Sequence, residues 1–232
     1  MALTGIEKAA DNYDCNLTFN HISFKKNCSE DIERFSKSSD GIIFLAELER
    51  NNPQTTLSVP AVAVGTHLPV LNNLSFVDVD PYTAAFLAVK YFKQHNIKEV
   101  TVLSHTALTY QNRGEVFAPL WKQAGGKVNK LYSVKVKNIE YKKSCGYLFT
   151  TGSRLQAASH NYKEKNGITL AQDHCILGID VKSLIHAGYH HTPCIAINWK
   201  QVGEEALKEC LSRIQFPGLN PRCIYLEGHL SK

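Results

Sequence analysis

Short, continuous apolar runs alternate along this chain with longer stretches whose apolar side chains recur every three or four positions. The first kind comprises Ile42-Ile43-Phe44-Leu45 behind the turn pair Asp40-Gly41, Val59 to Val64, Val100 to Leu103, Leu131 to Val136, Cys175 to Ile179 and Cys194 to Ile197. Such runs suit strands covered on both faces. The second kind predicts helices. Leu3 to Asn12 carries Leu3, Ile6, Ala9 and Ala10 on one side, and Val116 to Ala124 stops at Gly125-Gly126. Leu155 to Asn166 and Val202 to Ile214 follow the same pattern. The firmest helix start is Asp80-Pro81, a side-chain cap followed by a proline at the first helical position, with Ala84, Ala85, Leu87, Ala88, Tyr91 and Phe92 making a broad apolar face behind it.

Strands alternating with helices predict parallel βαβ units, so the fold class is α/β, with doubly wound parallel sheets. Ligands of such sheets sit outside the carboxyl ends of the strands, and the polar residues just after each run become the candidates for function. Two places interrupt the rhythm. The chain opens on a helix with no strand before it, and Lys142 to Leu148 offers too few residues for the helix and strand the alternation calls for. Either the fold is irregular at these places or segments are absent, and the expectation is that a first strand and a segment near 142–149 are missing from the sequence. No repeat, low-complexity stretch or interdomain linker stands out.

At 232 residues and 44% hydrophobic content the chain can bury one large core or two lobes. No apolar run is long enough to span a bilayer, and the first residues lack the basic flank and apolar stretch of a signal peptide, so a cytoplasmic location is expected. Seven cysteines without a CxxC pair fit a reducing compartment better than a disulfide framework. The sequons at Asn16, Asn27 and Asn73 carry little weight without a secretory signal. The net charge of +5 comes from scattered Lys and Arg, and the densest patch, Lys135 to Lys143, reads as a solvated surface. Direct contact of this chain with DNA is unsupported.

Catalytic fingerprints are missing. Neither GxxxxGK[ST] nor GxGxxG occurs, and Gly152-Ser153-Arg154 lacks the flanking glycines of a nucleophile elbow. Ser153 therefore reads as a helix cap or a ligand contact. His190-His191 with Cys194 is the tightest metal-type cluster, but neighbours on an extended segment face opposite ways, so no metal and no cofactor are expected. Asp78 and Asp80 could pair for acid–base work, yet capping before Pro81 explains Asp80 more simply.

From Gly5 almost to the C-terminus, the order of these segments resembles the effector-binding region of the lactose-repressor (LacI) family, relatives of the type I periplasmic sugar-binding proteins. Gly5-Ile6-Glu7-Lys8-Ala9-Ala10 looks like the first helix of that region, Asp40-Gly41-Ile42-Ile43 like its second strand, and Val59-Pro60-Ala61-Val62 like its third. Val77-Asp78-Val79-Asp80 is similar to the segment entering the next helix. Asn112-Arg113-Gly114-Glu115-Val116-Phe117 resembles the arginine-containing helix start, and Leu177-Gly178-Ile179-Asp180 the Gly-x-Asp strand end. Each motif alone is weak; their shared order is specific.

The resemblance implies two similar lobes with a ligand cleft between them, residues 1–105 plus 196–215 forming one and 106–195 plus 216–232 the other. The chain would cross near Ser104 to Thr106, Cys194 to Asn198 and Phe216 to Asn220. It implies a sugar or sugar-derivative effector, a homodimer, and operator binding through a helix-turn-helix domain outside this sequence. No membrane and no enzymatic activity are expected. The alternative is a periplasmic sugar-binding protein of a transport system. Candidate ligand contacts are Arg113, Asp180, Thr109, Tyr110, Ser153, Arg154 and Asp80. Arg113 offers a planar fork of donors, with a surface salt bridge as its plainer role; Asp180 offers acceptors for sugar hydroxyls, with helix capping as its plainer role. Where the family usually places an Asn-Asp pair, this chain has Gly152-Ser153 followed by Arg154. Arg154 suits an acidic sugar or projects into solvent.

Overall fold

The computed structural model describes residues 2–21, 29–45, 57–65, 73–105, 108–132, 136–180 and 192–231, with the backbone alone described for Leu108, Thr109 and Lys137. The chain divides into two compact units, Met1–Val79 with Asn198–Leu226, and Asp80–Ile197 with Glu227–Lys232. These boundaries differ from the expected lobes at two of three places. The helix from Asp80-Pro81 and the strand after it fall in the second unit, and residues 216–226 fall in the first. Strand pairing decides both, as the two sheets make plain.

The first unit holds helices α1 (Ala2–Asn12) and α2 (Ser29–Lys37), strands β1 (Ile42–Phe44), β2 (Ala61–Val64), β3 (Leu74–Val79) and β9 (Cys223–Leu226), and helix α7 (Trp199–Gln215). Its strands run parallel in the order β1-β2-β3-β9. Because side chains alternate along a strand, Ala61, Ala63, Leu74 and Phe76 share one face with Ile32 of α2. Ser75 lies on the other face and donates to the buried Glu209 of α7. Beyond α7 packs α1. A Cβ at Gly203 would lie 2.0 Å from the Ala2 carbonyl oxygen, and one at Gly5 1.9 Å from that of Lys200, so glycine at both positions lets the two helices touch backbone to backbone.

The second unit holds α3 (Pro81–Gln94), β4 (Glu99–Ser104), α4 (Leu108–Gln123), β5 (Lys127–Tyr132), a 3-10 turn at Val136–Asn138, β6 (Cys145–Phe149), α5 (Gly152–Asn166), α6 (Leu170–Asp173), β7 (Ile176–Ile179), β8 (Cys194–Ala196) and β10 (His229–Ser231). The sheet order is β10-β8-β7-β6-β4-β5, parallel except that β10 runs antiparallel to β8. Phe92 of α3 packs with Phe117 and Trp121 of α4, ring centroids about 6 Å apart, and this aromatic layer abuts Gly146 of β6, where a Cβ would meet the Phe92 ring at 2.8 Å. The opposite face sets Leu103, Tyr147, Phe149 and Ile176 against Leu155 and Ala158 of α5 and Leu170 of α6. Both parallel sheets are thus covered on both faces, as the runs predict.

Residues 142–149, read from sequence as a truncated segment, hold a complete and fully buried strand, β6, paired on both sides with β4 and β7. The crossover from β5 to β6 uses the 3-10 turn instead of an α-helix, with Val136, Ile139 and Tyr141 packed on the α5 face. The expected strand Leu131 to Val136 sits four residues earlier, at Lys127–Tyr132, because pairing with β4 from Glu99–Lys127 to Ser104–Tyr132 sets its register. No helix among the described residues is long and apolar enough to cross a membrane.

Candidate functional site

In the second unit β4, β6, β7 and β8 are parallel neighbours, so their carboxyl ends share one edge. Register places Leu103 beside Phe149, Phe149 beside Gly178, and Ile179 beside Ile195. The residues that follow these positions, Ser104, Thr150 and Asp180, therefore converge. The backbone continues the ladder past the strands: the Thr150 amide donates to the Leu103 carbonyl at 3.1 Å, and the Asp180 amide to that of Ile195 at 3.0 Å.

A chain of hydroxyls runs along this edge. Thr150 Oγ1 donates to Ser104 Oγ at 2.9 Å, and Ser104 Oγ to the His105 carbonyl at 3.2 Å. Both side chains are completely buried. Next to Thr150, Thr151 caps α5, its hydroxyl accepting from the Arg154 amide at 3.3 Å. The cap is thus Thr151, and Ser153 is the second residue of the helix, its exposed hydroxyl 3.1 Å from that of Thr151. The capping reading of Ser153 fails because α5 begins at Gly152, three residues before its apolar period at Leu155.

Two arginines reach the same edge. Arg113, on α4 and 3% exposed, donates from Nη1 to the Thr150 carbonyl at 2.9 Å, and its guanidinium lies 5.3 Å from the Tyr110 ring centre. That burial removes the surface salt bridge as an account of Arg113. Arg154 donates from Nη1 to the Ser104 carbonyl and is half-buried, so it does not simply project into solvent. Burial pushes its guanidinium pKa below the ordinary value, with the neighbouring Tyr141 acting in the opposite direction.

Asp180 closes the row at the end of β7, with φ at 62°, the left-handed region that an aspartate seldom occupies. Asp80 is the cap of α3, accepting from the Tyr82 amide at 2.9 Å and the Thr83 amide at 3.2 Å. Tyr110 lies in the first turn of α4 with its ring edge-on to His105, and Thr109 is beside it on the backbone, its side chain outside the described residues. His190 and His191 also lie outside them. Asp78 is buried within β3 in the first unit, where its carboxylate accepts from the Val79 amide at 2.6 Å.

Of the candidates, Arg113, Arg154, Ser153 and Asp180 therefore stand on or beside one strand edge, while Asp80 is committed to its helix. Ser104, Thr150 and Thr151 were not among the sequence candidates. Ser104 does follow an apolar run directly, but Thr150 and Thr151 follow Tyr147-Leu148-Phe149, which the alternation had not read as a strand. Chemically the edge offers fixed cationic donors, hydroxyls and one carboxylate acceptor, an assortment for holding a polar ligand. A separate hollow of about 270 Å³ lies against α5 and the 3-10 turn, lined by Ile139, Tyr141, Tyr162 and Lys165 among others, and none of the strand-end residues borders it.

No protein-family model and no curated protein sequence matches the chain. Solved structures do match it in fold. A LacI family transcriptional regulator from Enterococcus faecalis V583 with bound ribose is similar over 100% of this chain and 91% of its own, with a TM-score of 0.79 at 17% identity. The transcription regulator CcpA of Lactococcus lactis is similar over the same shares, with a TM-score of 0.81 at 13% identity. A periplasmic binding protein/LacI transcriptional regulator from Alkaliphilus metalliredigens QYMF complexed with D-xylulofuranose gives 0.78 at 14% identity, again over 100% of this chain and 91% of its own. The chain has the fold of these regulators and sugar-binding proteins.

Proposed function

We propose that this chain is the effector-binding region of a LacI-type transcription regulator, that its effector is a sugar or sugar derivative, and that it catalyses no reaction. The observation that carries this reading is the strand edge of the second unit: Ser104, Thr150, Arg113, Arg154 and Asp180 meet where ligands of parallel α/β sheets bind, in a fold that is matched over its whole length by regulators of that type. Ribose, D-xylulofuranose and cellobiose accompany three of the matching structures.

In this reading the effector favours one of two conformations of a cytoplasmic homodimer, and the altered dimer changes how a separate DNA-binding domain meets its operator. Arg113 and Asp180 contact the effector, Asp180 through its hydroxyls, assisted by Tyr110, Thr109 and Ser153. The test is thermal unfolding against pentoses, hexoses and uronic acids at millimolar concentration. A ligand at a hundred times its Kd stabilises the folded state by about 2.7 kcal/mol, worth roughly 5–10 °C for a chain of this size. No shift with any sugar rejects the sensor. Sedimentation then separates the two roles that the Alkaliphilus protein's name combines, since a chain that stays monomeric at high concentration fits a transport-type binding protein instead.

A further inference from the structure

Resting on that reading, we infer that the effector is an anionic sugar, bearing a carboxylate or a phosphate ester, and that Arg113 and Arg154 receive its charge. Arg113 is a guanidinium with 3% exposure, and its contacts among the described residues are the Thr150 carbonyl and the Tyr110 ring, neither of which carries a formal negative charge. A buried cation without a counter-ion is costly, and the cost falls when an anion arrives. Arg154 brings a second cation to the adjoining strand end. The carbonyls that hold the two side chains belong to Thr150 and Ser104, whose hydroxyls are hydrogen-bonded to each other at 2.9 Å. Both guanidinium groups are therefore anchored at one point of the edge, each through Nη1.

Two further features agree. Arg154 sits in the first turn of α5, a 15-residue helix, so the positive end of the helix dipole lies at the same place. The planar forks match carboxylate and phosphate oxygens in pairs, which a lysine could not do. Asp180, at the end of β7, supplies the acceptor for hydroxyls of the sugar body, so the edge separates a charge-binding end from a hydroxyl-binding end.

The experiment is calorimetric titration of the whole chain with matched pairs: glucose against glucuronate, galactose against galacturonate, and ribose against ribose 5-phosphate, with inorganic phosphate as a control. At least one anionic member should bind tenfold or more tightly than its neutral parent. Arg154→Gln should reduce that preference about tenfold, and Arg154→Lys should recover part of it. Circular dichroism of both variants verifies the fold. A neutral parent that binds as well as its anionic partner, or a preference that survives Arg154→Gln, overturns the anionic assignment while leaving the sugar sensor in place. Inorganic phosphate binding as tightly as the sugar phosphate also overturns it, because the sugar body would then contribute nothing. If neither member of any pair binds, the sensor reading falls as well.

Discussion

Replacing Glu209 by alanine should destabilise the first unit far more than removal of one surface acid would. Glu209 is 1% exposed on α7, accepting from Ser75 Oγ at 2.8 Å and from Arg222 Nε at 2.6 Å. One turn further along, Arg213 is 2% exposed and donates from Nη1 to the carbonyls of Ala61 at 3.1 Å and Asn73 at 2.9 Å. Those carbonyls stand at the amino-terminal ends of β2 and β3, so the arginine ties both strands to the helix that covers them. Burial lowers the pKa of this guanidinium and the nearby Glu209 raises it, so the carboxylate favours the charge that Arg213 carries there. Removing the carboxylate deletes two charge-assisted hydrogen bonds and leaves a buried cation unneutralised. Losses of about 3–5 kcal/mol are typical of that change. Urea unfolding followed by hydrogen exchange provides the assay: amides of β2 and β3 should open roughly 150- to 5,000-fold more often, while those of β4 and β6 change little. A double variant, Glu209→Leu with Arg213→Met, should restore most of the loss, because it removes both charges together. A single-variant loss below about 1 kcal/mol would refute the argument.

Two further outcomes follow from single residues. His174 has a buried side chain ringed by Tyr141, Tyr147 and Tyr162, with Asp173 at 3.4 Å and Lys143 bonded to that aspartate. Burial holds its pKa below the usual 6.5, partly offset by Asp173, so the unfolded chain takes up the proton first and stability should fall as pH drops below about 6.5, by at most about 1.4 kcal/mol per unit. His174→Phe should flatten this limb in melts between about pH 6.5 and 5; an unchanged slope would show that another group is responsible. Asp180→Gly keeps a residue that adopts the φ of 62° readily but removes the carboxylate, so it should weaken sugar binding while the fold, followed by circular dichroism, is retained. A folded glycine variant that binds sugar normally contradicts the role given to Asp180.

How much could be read in advance depended on whether the deciding interaction was local. The start of α3 was legible because Asp80 and Pro81 act on their own helix within three residues. The start of α4 was not: the helix begins at Leu108, eight residues before its predicted start, since Thr109 to Glu115 show no apolar period until Phe117 and Trp121 enter the core. β3 was obscured by Ser75 and Asp78, polar residues that a buried strand ordinarily excludes. Ser75 is tolerated because Glu209, 134 positions away, accepts its hydrogen bond. β5 and β9 are only partly buried, so alternation along them is faint and pairing with β4 and β3 determines where they lie.

The same distinction explains the strand edge. Arg113 and Asp180 were singled out because a family resemblance names their positions, but Ser104 and Thr150 belong to the edge only through register, and register is set by a strand that the sequence pattern had left out. With β6 in place between β4 and β7, Leu103 lies beside Phe149 and the next residues must meet. Their hydroxyls then hydrogen-bond, and their carbonyls become the anchors of the two arginines. A one-residue slip of β6 against β4 would turn every side chain of the strand to the opposite face, driving Tyr147 and Phe149 into the aromatic layer of Phe92. The packing that protects the core is therefore also what aligns the arginines, and the geometry of this edge inherits its precision from Gly146, the residue that leaves room for Phe92 and so holds β6 to that register.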